Sequence, residues 1–183
     1  MVIDLLAKHS APDRGLPAAS SSNDGCQMRF EKLKALAIAL GDSFPIMPID
    51  EIRLAVAFAK LLAKEHVVER LIDEMFDDPN MHVRRIAVNA CRRAKAFDAP
   101  MLKEALTRKL EDPEPWVRYD AAWAIGDAGY DCPRIRQLLS AIAGIRPLAE
   151  LKVLVRAHTS NAALQAQARA RETLDLLDGH LEG

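Results

Sequence analysis

Aromatic residues are scarce in this chain of 183 residues: phenylalanine, tyrosine and tryptophan make up 5% of it, although half of its residues are hydrophobic. Alanine and leucine therefore have to fill the interior, which suits close-packed helices better than a β-sandwich. No segment alternates apolar and polar residues as a half-buried strand would. We predict an all-α protein of one domain, long enough to bury a substantial core.

Net charge, cysteine and long apolar runs are limited too. The formal net charge is −1, so nothing global attracts the chain to nucleic acid or to an anionic membrane surface. Charges interrupt every apolar stretch, and the first ten residues lack the basic region of a secretory signal, so we predict no membrane span and a cytoplasmic location. The three cysteines, Cys26, Cys91 and Cys132, are widely spaced, which fits a reducing compartment and gives no zinc framework.

Sequence signatures of catalysis are missing as well. The chain has no glycine-rich phosphate loop and no nucleophile elbow. Its five histidines are too scattered to place two metal ligands on one helix face. We therefore expect no catalytic residue, no metal and no cofactor, and a protein that is not an enzyme.

What the chain does contain is a repeat. Residues 78–90 read DPNMHVRRIAVNA, and residues 112–124 read DPEPWVRYDAAWA. A period of 34 residues indicates stacked pairs of helices, which usually act through an extended surface rather than through a buried catalytic cluster. The matching pairs are Asp78 with Asp112, Pro79 with Pro113, Val83 with Val117, Arg84 with Arg118, Ala87 with Ala121 and Ala90 with Ala124.

The second copy, DPEPWVRYDAAWAIGDAG, resembles the HEAT-like repeat, in particular the short variety of phycobilisome lyases and many bacterial scaffold proteins. A fainter copy, IDEIRLAVAFA, precedes the first at a spacing of 31. The resemblance implies a right-handed α-solenoid of about four HEAT-like helical hairpins with a helical C-terminal cap. It also implies a structural role for one arginine in each copy, reaching toward loop aspartates such as Asp78 and Asp112: Arg53, Arg84 and Arg118.

Composition divides the chain into two parts. Residues 1–27 are predicted to be a flexible N-terminal segment, because 10–27 are rich in Ser, Pro, Ala and Gly; a short helix over 2–8 could precede them. Residues 28–183 form the predicted HEAT-like repeat domain, in which the repeat requires a helix break near Lys64–His66. One helix opens at Pro147, and the last covers about 162–177. Residues 144–183 are predicted to cap the array, with polar outer positions at Lys152, Gln165, Gln167, Arg169 and Arg171.

The phase of the repeat predicts a binding face on the second helix of each hairpin. Counted from the repeated valine, the exposed stripe lies one position before it and two, six and nine positions after it. In the second copy this stripe collects both tryptophans and one of the two tyrosines, which are favoured interface anchors. We predict a protein or peptide partner with apolar side chains and some acidic character, bound at His82, Arg85, Asn89, Arg92, Trp116, Tyr119 and Trp123.

The same count places Gly126 last on the stripe of the second copy, and Glu51, Leu54, Phe58 and Leu61 on that of the faint copy. We expect the chain's own first helix to cover Leu54 and Phe58. The two tryptophans could equally pack against adjacent loops or the N-terminal segment.

Two other functions remain as alternatives. One is a lyase-type enzyme subunit, like the bilin lyases of the resembling family. The repeat pattern alone does not imply their activity for this chain. A HEAT-like DNA-binding or repair protein would need a basic surface and a catalytic aspartate in an aromatic cleft, for which Asp120 or Asp127 near Trp123 is the nearest approximation. A solvated helix face is the ordinary explanation of the one basic cluster: Arg84, Arg85, Arg92, Arg93 and Lys95.

Overall fold

The computed structural model of the protein describes residues 22–43, 45–63, 67–146 and 160–179. Over these residues the chain forms eight α-helices and no strand, which confirms the predicted all-α fold class. The helices are α1 (Ser22–Gly41), α2 (Pro48–Leu62), α3 (Val68–Met75), α4 (Met81–Ala94), α5 (Leu102–Lys109), α6 (Pro115–Ala128), α7 (Pro133–Ile142) and α8 (Asn161–Gly179).

Consecutive helices pair as hairpins, α1 with α2, α3 with α4 and α5 with α6, and the first and second helices of the hairpins form two layers. The second helices form a continuous row, in which α2 packs on α4, α4 on α6 and α6 on α8. In the layer of first helices, α3 packs near α5, and α1 reaches α3 through the ion pair between Lys34 and Glu74. Apolar side chains fill the interior, and Phe30, Phe58 and Phe76 are among the largest that are fully buried. The chain is thus a helical solenoid.

α1 begins earlier than the sequence indicates. It starts at Ser22, inside the segment predicted to be flexible up to residue 27, and its first turns bury Cys26. Cys26 lies one turn before Phe30, whose ring packs edge-on against Phe58. A single cysteine within a Ser- and Gly-rich stretch creates no visible period, so the pattern places the helix start too late. Residues 1–21, including the short helix expected at 2–8, lie outside the described residues.

The helix break that the repeat requires near residue 65 is confirmed. α2 ends at Leu62, and α3 begins at Val68. Residues 64–66 themselves are not among the described ones. The repeat logic therefore locates a boundary that no Gly or Pro marks.

Arg84 joins two neighbouring hairpins. Its Nε and Nη2 donate to the two carboxylate oxygens of Asp112 in the next hairpin loop, each at 2.8 Å. Its Nη1 donates to the backbone carbonyls of Asp78 and Pro79 in its own loop, at 2.8 and 3.0 Å. Both charged partners are buried, Arg84 being 7% and Asp112 4% exposed. The structural role that the resemblance implies for Arg84 is therefore confirmed, and we call this arrangement the arginine clamp.

Arg118 repeats part of the clamp one hairpin later. Its Nη1 donates to the carbonyls of Asp112 and Pro113, at 2.7 and 2.9 Å. Asp112 also accepts a hydrogen bond from the backbone N–H of Glu114 at 3.0 Å, which closes the turn before α6. Burial lowers the pKa of Arg118, against the opposing effect of Asp112 and Glu114. The arginine is held by the Asp-Pro corner that precedes its own helix.

Arg53 does not take this role, contrary to the expectation from the faint copy. Its ion pair is with Asp50 in its own helix, at 3.3 Å, and its side chain is 48% exposed. The reason is register, because Arg53 is the sixth residue of α2, whereas Arg84 and Arg118 are the fourth residues of α4 and α6.

The number of residues between α7 and α8 differs from that between the earlier helix pairs. Loops of five residues connect α3 to α4 and α5 to α6, whereas eighteen residues separate α7 from α8. α8 nevertheless runs parallel to α6, because Arg169 lies over the ring of Tyr119 while Leu176 lies beside Gly126. α8 therefore packs on α6 and α7 as the second helix of a further hairpin would. The helix predicted to open at Pro147 falls outside the described residues.

Replacing Arg84 by alanine is expected to destabilise the array strongly. The substitution leaves the buried carboxylate of Asp112 without its bidentate partner, and only Lys109, 3.5 Å away, and the backbone N–H of Glu114 remain near it. Because an uncompensated buried charge is costly, we predict a loss of about 3 kcal/mol in the free energy of unfolding. Urea unfolding followed by circular dichroism measures it.

Arg53→Ala is the matched control for this variant. It also removes an arginine from the second helix of a hairpin, but from an exposed ion pair with Asp50, so the expected loss is below about 1 kcal/mol. Equal losses in the two variants would contradict the clamp.

Ion pairs also tie α1 to α3. Glu74 accepts hydrogen bonds from Lys34 and Arg70, both at 2.6 Å, and Arg70 also pairs with Glu31. The guanidinium carbon of Arg70 lies 4.1 Å from the ring centroid of Phe30. Burial disfavours the ionised form of Glu74, but the hydrogen bonds from Lys34 and Arg70 outweigh it and lower the pKa of this carboxyl.

Glu74→Gln is expected to change how stability depends on pH. A carboxylate whose pKa is lowered by folding stabilises the protein above its unfolded pKa of about 4.3, and this contribution is lost as the pH falls through the folded pKa. We predict that the variant is less stable than the wild type by about 1 kcal/mol at pH 7, and that the difference shrinks below about pH 4. Thermal unfolding from pH 7 to pH 3 measures this, with the exposed Glu69→Gln in the same helix as control. A difference that stays constant across the range would contradict it.

Candidate functional site

The second helices present a common set of side chains. The second, fifth and ninth residues of α2, α4, α6 and α8 are all half-buried or exposed. Because these helices run in the same direction, residues at equal positions along them lie on one surface, which we call the inner face. It consists of Ile49, Ile52 and Val56 on α2, His82, Arg85 and Asn89 on α4, Trp116, Tyr119 and Trp123 on α6, and Ala162, Gln165 and Arg169 on α8.

Three aromatic rings stand in line on α6. The centroids of Trp116 and Tyr119 are 5.6 Å apart, and those of Tyr119 and Trp123 are 5.9 Å apart. Their planes meet at 77° and 83°, the edge-to-face geometry that aromatic pairs prefer. Helical spacings of three and four residues bring the rings together, as the sequence predicts. We call these three residues the aromatic ladder.

Arginines from the helices on both sides lie over the aromatic ladder. From α4, the guanidinium carbons of Arg85 and Arg92 lie 5.3 Å from the Trp116 centroid and 3.9 Å from the Trp123 centroid. From α8, Arg169 lies 4.4 Å from the Trp123 centroid and donates to the Tyr119 hydroxyl at 3.1 Å. Within the described residues, the buried Nε atoms of Arg92 and Arg169 have no hydrogen-bond acceptor, so the Trp123 ring is the group that faces these cations. The rings are held in place from both sides.

A strip of ion pairs crosses the inner face beside the aromatic ladder. Glu51, which is 8% exposed, lies 2.5 Å from Nδ1 of His82 and accepts a hydrogen bond from Arg85 at 2.7 Å. Arg85 also donates to Asp120 at 2.8 Å. Burial raises the pKa of Asp120 and outweighs the opposing effects of Arg85 and Asn89. We call Glu51, His82, Arg85 and Asp120 the charged strip; it links α2, α4 and α6.

The basic cluster considered for nucleic acid is largely neutralised within the chain. Arg84 pairs with Asp112, and Arg85 pairs with two acids of the charged strip. Arg92 pairs with Asp127 at 3.0 Å. Only the remaining two cations of the cluster, Arg93 and Lys95, are classed among the exposed residues. This arrangement does not form the basic stripe that phosphate binding requires.

The aspartates considered for base excision are also engaged. Asp120 is 3% exposed and bound to Arg85, and Asp127 is bound to Arg92. A catalytic aspartate has to reach a flipped base in an open pocket. Their geometry gives the DNA-repair alternative no support.

On α2 the predicted stripe is wrong. Glu51, Leu54, Phe58 and Leu61 are all buried. Phe58 packs against Phe30 at a centroid distance of 5.7 Å, which confirms that the first helix covers this side of α2. Ile49 and Ile52 are exposed instead, at 47% and 43%.

The error on α2 is one of register. The faint copy was aligned at a spacing of 31, whereas the helix starts Pro48 and Met81 are 33 residues apart. Proline occupies the first position of both α2 and α6, and aligning these two prolines gives the correct register from the sequence alone. The missed inner-face residues are Ile49, Ile52 and Val56.

α8 changes two further expectations. Arg169, predicted as an outer polar position, instead packs on the aromatic ladder. Gly126, predicted on the exposed stripe, is buried beneath α8, where a Cβ would lie 3.3 Å from Oγ1 of Thr173. The hydroxyl of Thr173 donates to the carbonyl of Ala122 at 2.9 Å. The tryptophans therefore pack against arginines of α4 and α8.

Among the described residues, no group of three or more His, Cys, Asp or Glu side chains is placed to hold a metal ion. None of the helices described is long and apolar enough to cross a membrane. Cys91 is fully buried, and burial raises the pKa of its thiol to about 12, which makes it an inert core residue.

Stacked helical hairpins joined by Asp-Pro corners and an arginine clamp define a class, the α-helical repeat proteins. The family model for HEAT repeats matches residues 68–154. This part of the chain is therefore similar to HEAT repeats. No curated protein and no solved structure matches the chain.

Gly126→Leu is expected to displace α8 from α6. The added side chain collides with Thr173 and Leu176, and overpacking of this kind costs about 1–3 kcal/mol. Gly25→Leu is the matched control, because Gly25 is also helical but has no atom within 4 Å of its Cβ position. We predict a lower free energy of unfolding and altered tryptophan fluorescence for the first variant only. Unchanged stability and fluorescence in Gly126→Leu would show that α8 does not pack closely there.

Proposed function

We propose that this protein is a non-enzymatic interaction module, an adaptor or a subunit of a larger complex, that binds another protein through its inner face. HEAT repeats commonly mediate protein–protein interaction, because stacked hairpins create a long continuous surface. The proposal assigns binding to the part of that surface around the aromatic ladder.

One observation carries the proposal: the chain's rare large aromatic residues gather at a half-buried place. Both tryptophans and one of the two tyrosines belong to the aromatic ladder. Tryptophan and tyrosine are the residues most enriched among the energetic anchors of interfaces. The arginines on both sides fix the rings before a partner arrives, which reduces the entropy lost on binding.

The ion pairs of Arg85 and Arg92 change the kind of partner that we expect. The expectation of an acidic partner rests on the arginines of α4 being free. Arg85 and Arg92 already have carboxylate partners within the chain. A partner therefore gains more by burying apolar surface on the ladder than by offering acidic groups.

Trp116→Ala is the variant that tests the proposal. Trp116 belongs to the ladder but lies in the first turn of α6, and its removal is expected to weaken partner capture at least about tenfold. The measurement is quantitative mass spectrometry of the proteins that co-purify with the full chain from its native cells.

Met101→Ala is the matched control for Trp116→Ala. Met101 is 45% exposed and precedes α5 in the other layer, so its removal should leave capture unchanged. Equal capture by wild type and Trp116→Ala would refute the proposal. Co-purification of nucleic acid or a pigment, with no protein, would favour the alternatives instead.

A further inference from the structure

The inner face carries a second apolar surface besides the aromatic ladder. Ile49 and Ile52 on α2 are 47% and 43% exposed, and Val56 completes their row one turn later. Met47, just before the helix, is 55% exposed and adds to the same end. Ile49, Ile52 and Val56 occupy the positions on α2 that the aromatic ladder occupies on α6. We call these four residues the isoleucine patch.

The isoleucine patch and the aromatic ladder are two helices apart. Packed helices are about 8–10 Å apart, so the two apolar surfaces are separated by about 18 Å along the array. An α-helix rises 1.5 Å per residue, so about 12 residues of a helical partner span this distance. Side chains at i and i+11 of the partner helix are three turns apart and lie on the same face. Their separation along the helix axis is close to the distance between the two apolar surfaces.

The charged strip between the two apolar surfaces limits what can lie across it. Glu51 and Asp120 both bind Arg85, and Glu51 also hydrogen-bonds the imidazole of His82, so these groups make their hydrogen bonds to one another. A charged partner side chain placed here would compete with pairs that are already formed. The middle of the partner is therefore uncharged.

The same strip favours a helical partner over an extended one. An extended peptide leaves its backbone N–H and C=O groups in need of partners. The strip offers few, because its donors and acceptors bind each other. A helix satisfies its own backbone and needs only side-chain contacts.

We propose that the inner face binds one amphipathic helix of a partner protein, with apolar anchors about 11 residues apart on the isoleucine patch and the aromatic ladder, and uncharged residues between them. This rests on the proposed function and adds to it a second anchor and the class of ligand. The helix lies across α2, α4 and α6.

The test uses defined peptides rather than an unidentified partner. A phage library of 18-residue helix-favouring peptides is selected against the full chain, and the enriched sequences are synthesised with a fluorescent label. The proposal predicts apolar residues spaced by about 11 and a helical bound state in circular dichroism. Ile52→Glu should raise the Kd, measured by anisotropy, at least about tenfold. Ala35→Glu makes the same charge change at an exposed position on α1 and should change it less than about twofold.

The outcomes separate the two proposals. If Trp116→Ala weakens peptide binding but Ile52→Glu does not, the second anchor is wrong and the proposed function stands. If neither variant weakens binding, both are wrong. Failure to select any peptide would overturn the helix proposal. So would a second copy of the chain that covers the patch in sedimentation experiments. Selection that succeeds only after Val2, Leu5 and Leu6 of the N-terminal segment are changed to serine would also overturn it, because that segment would then be the occupant of the patch.

Discussion

The arginine clamp is the interaction on which the stacking of this array depends. Each hairpin alone buries too little apolar surface to be stable, so consecutive hairpins must keep a fixed spacing and angle. Arg84 sets both, because one guanidinium binds the backbone of its own loop and the carboxylate of the next. Its five donors form a rigid planar fork, which a lysine could not replace. The positions of the inner-face side chains follow from this contact.

Charge on the inner face has a structural use, and the proposed function therefore assigns binding to the aromatic residues. Arg85 and Arg92 hold neighbouring helices together through Asp120 and Asp127 while their guanidinium groups cover tryptophan rings. Rings fixed in this way lose little freedom when a partner arrives. Because the cations are neutralised locally, we expect a partner to contact this surface mainly through apolar side chains.

The sequence predicts the array and the ladder because both depend on a short period. The Asp-Pro corners, the clamp at Arg84 and the ring spacing on α6 follow from local pattern. The prediction from the sequence fails where the spacing between helices departs from this period. The spacing of 31 instead of 33 pairs Arg53 with Arg84, although Arg53 lies two positions further along its helix, and it leaves the exposed Ile52 off the predicted stripe. Arg169 is predicted on the outer side because the eighteen residues between α7 and α8 take α8 out of the period.

The central claim is that the second helices, rather than the first, form the binding surface. A structure of the full chain with its co-purified protein partner tests it most directly. The account predicts partner residues in contact with the Trp116 ring and with Ile52, and none on the outer side of α1, α3 and α5. A partner bound to that outer layer, with Trp116 left in contact with solvent, would contradict it.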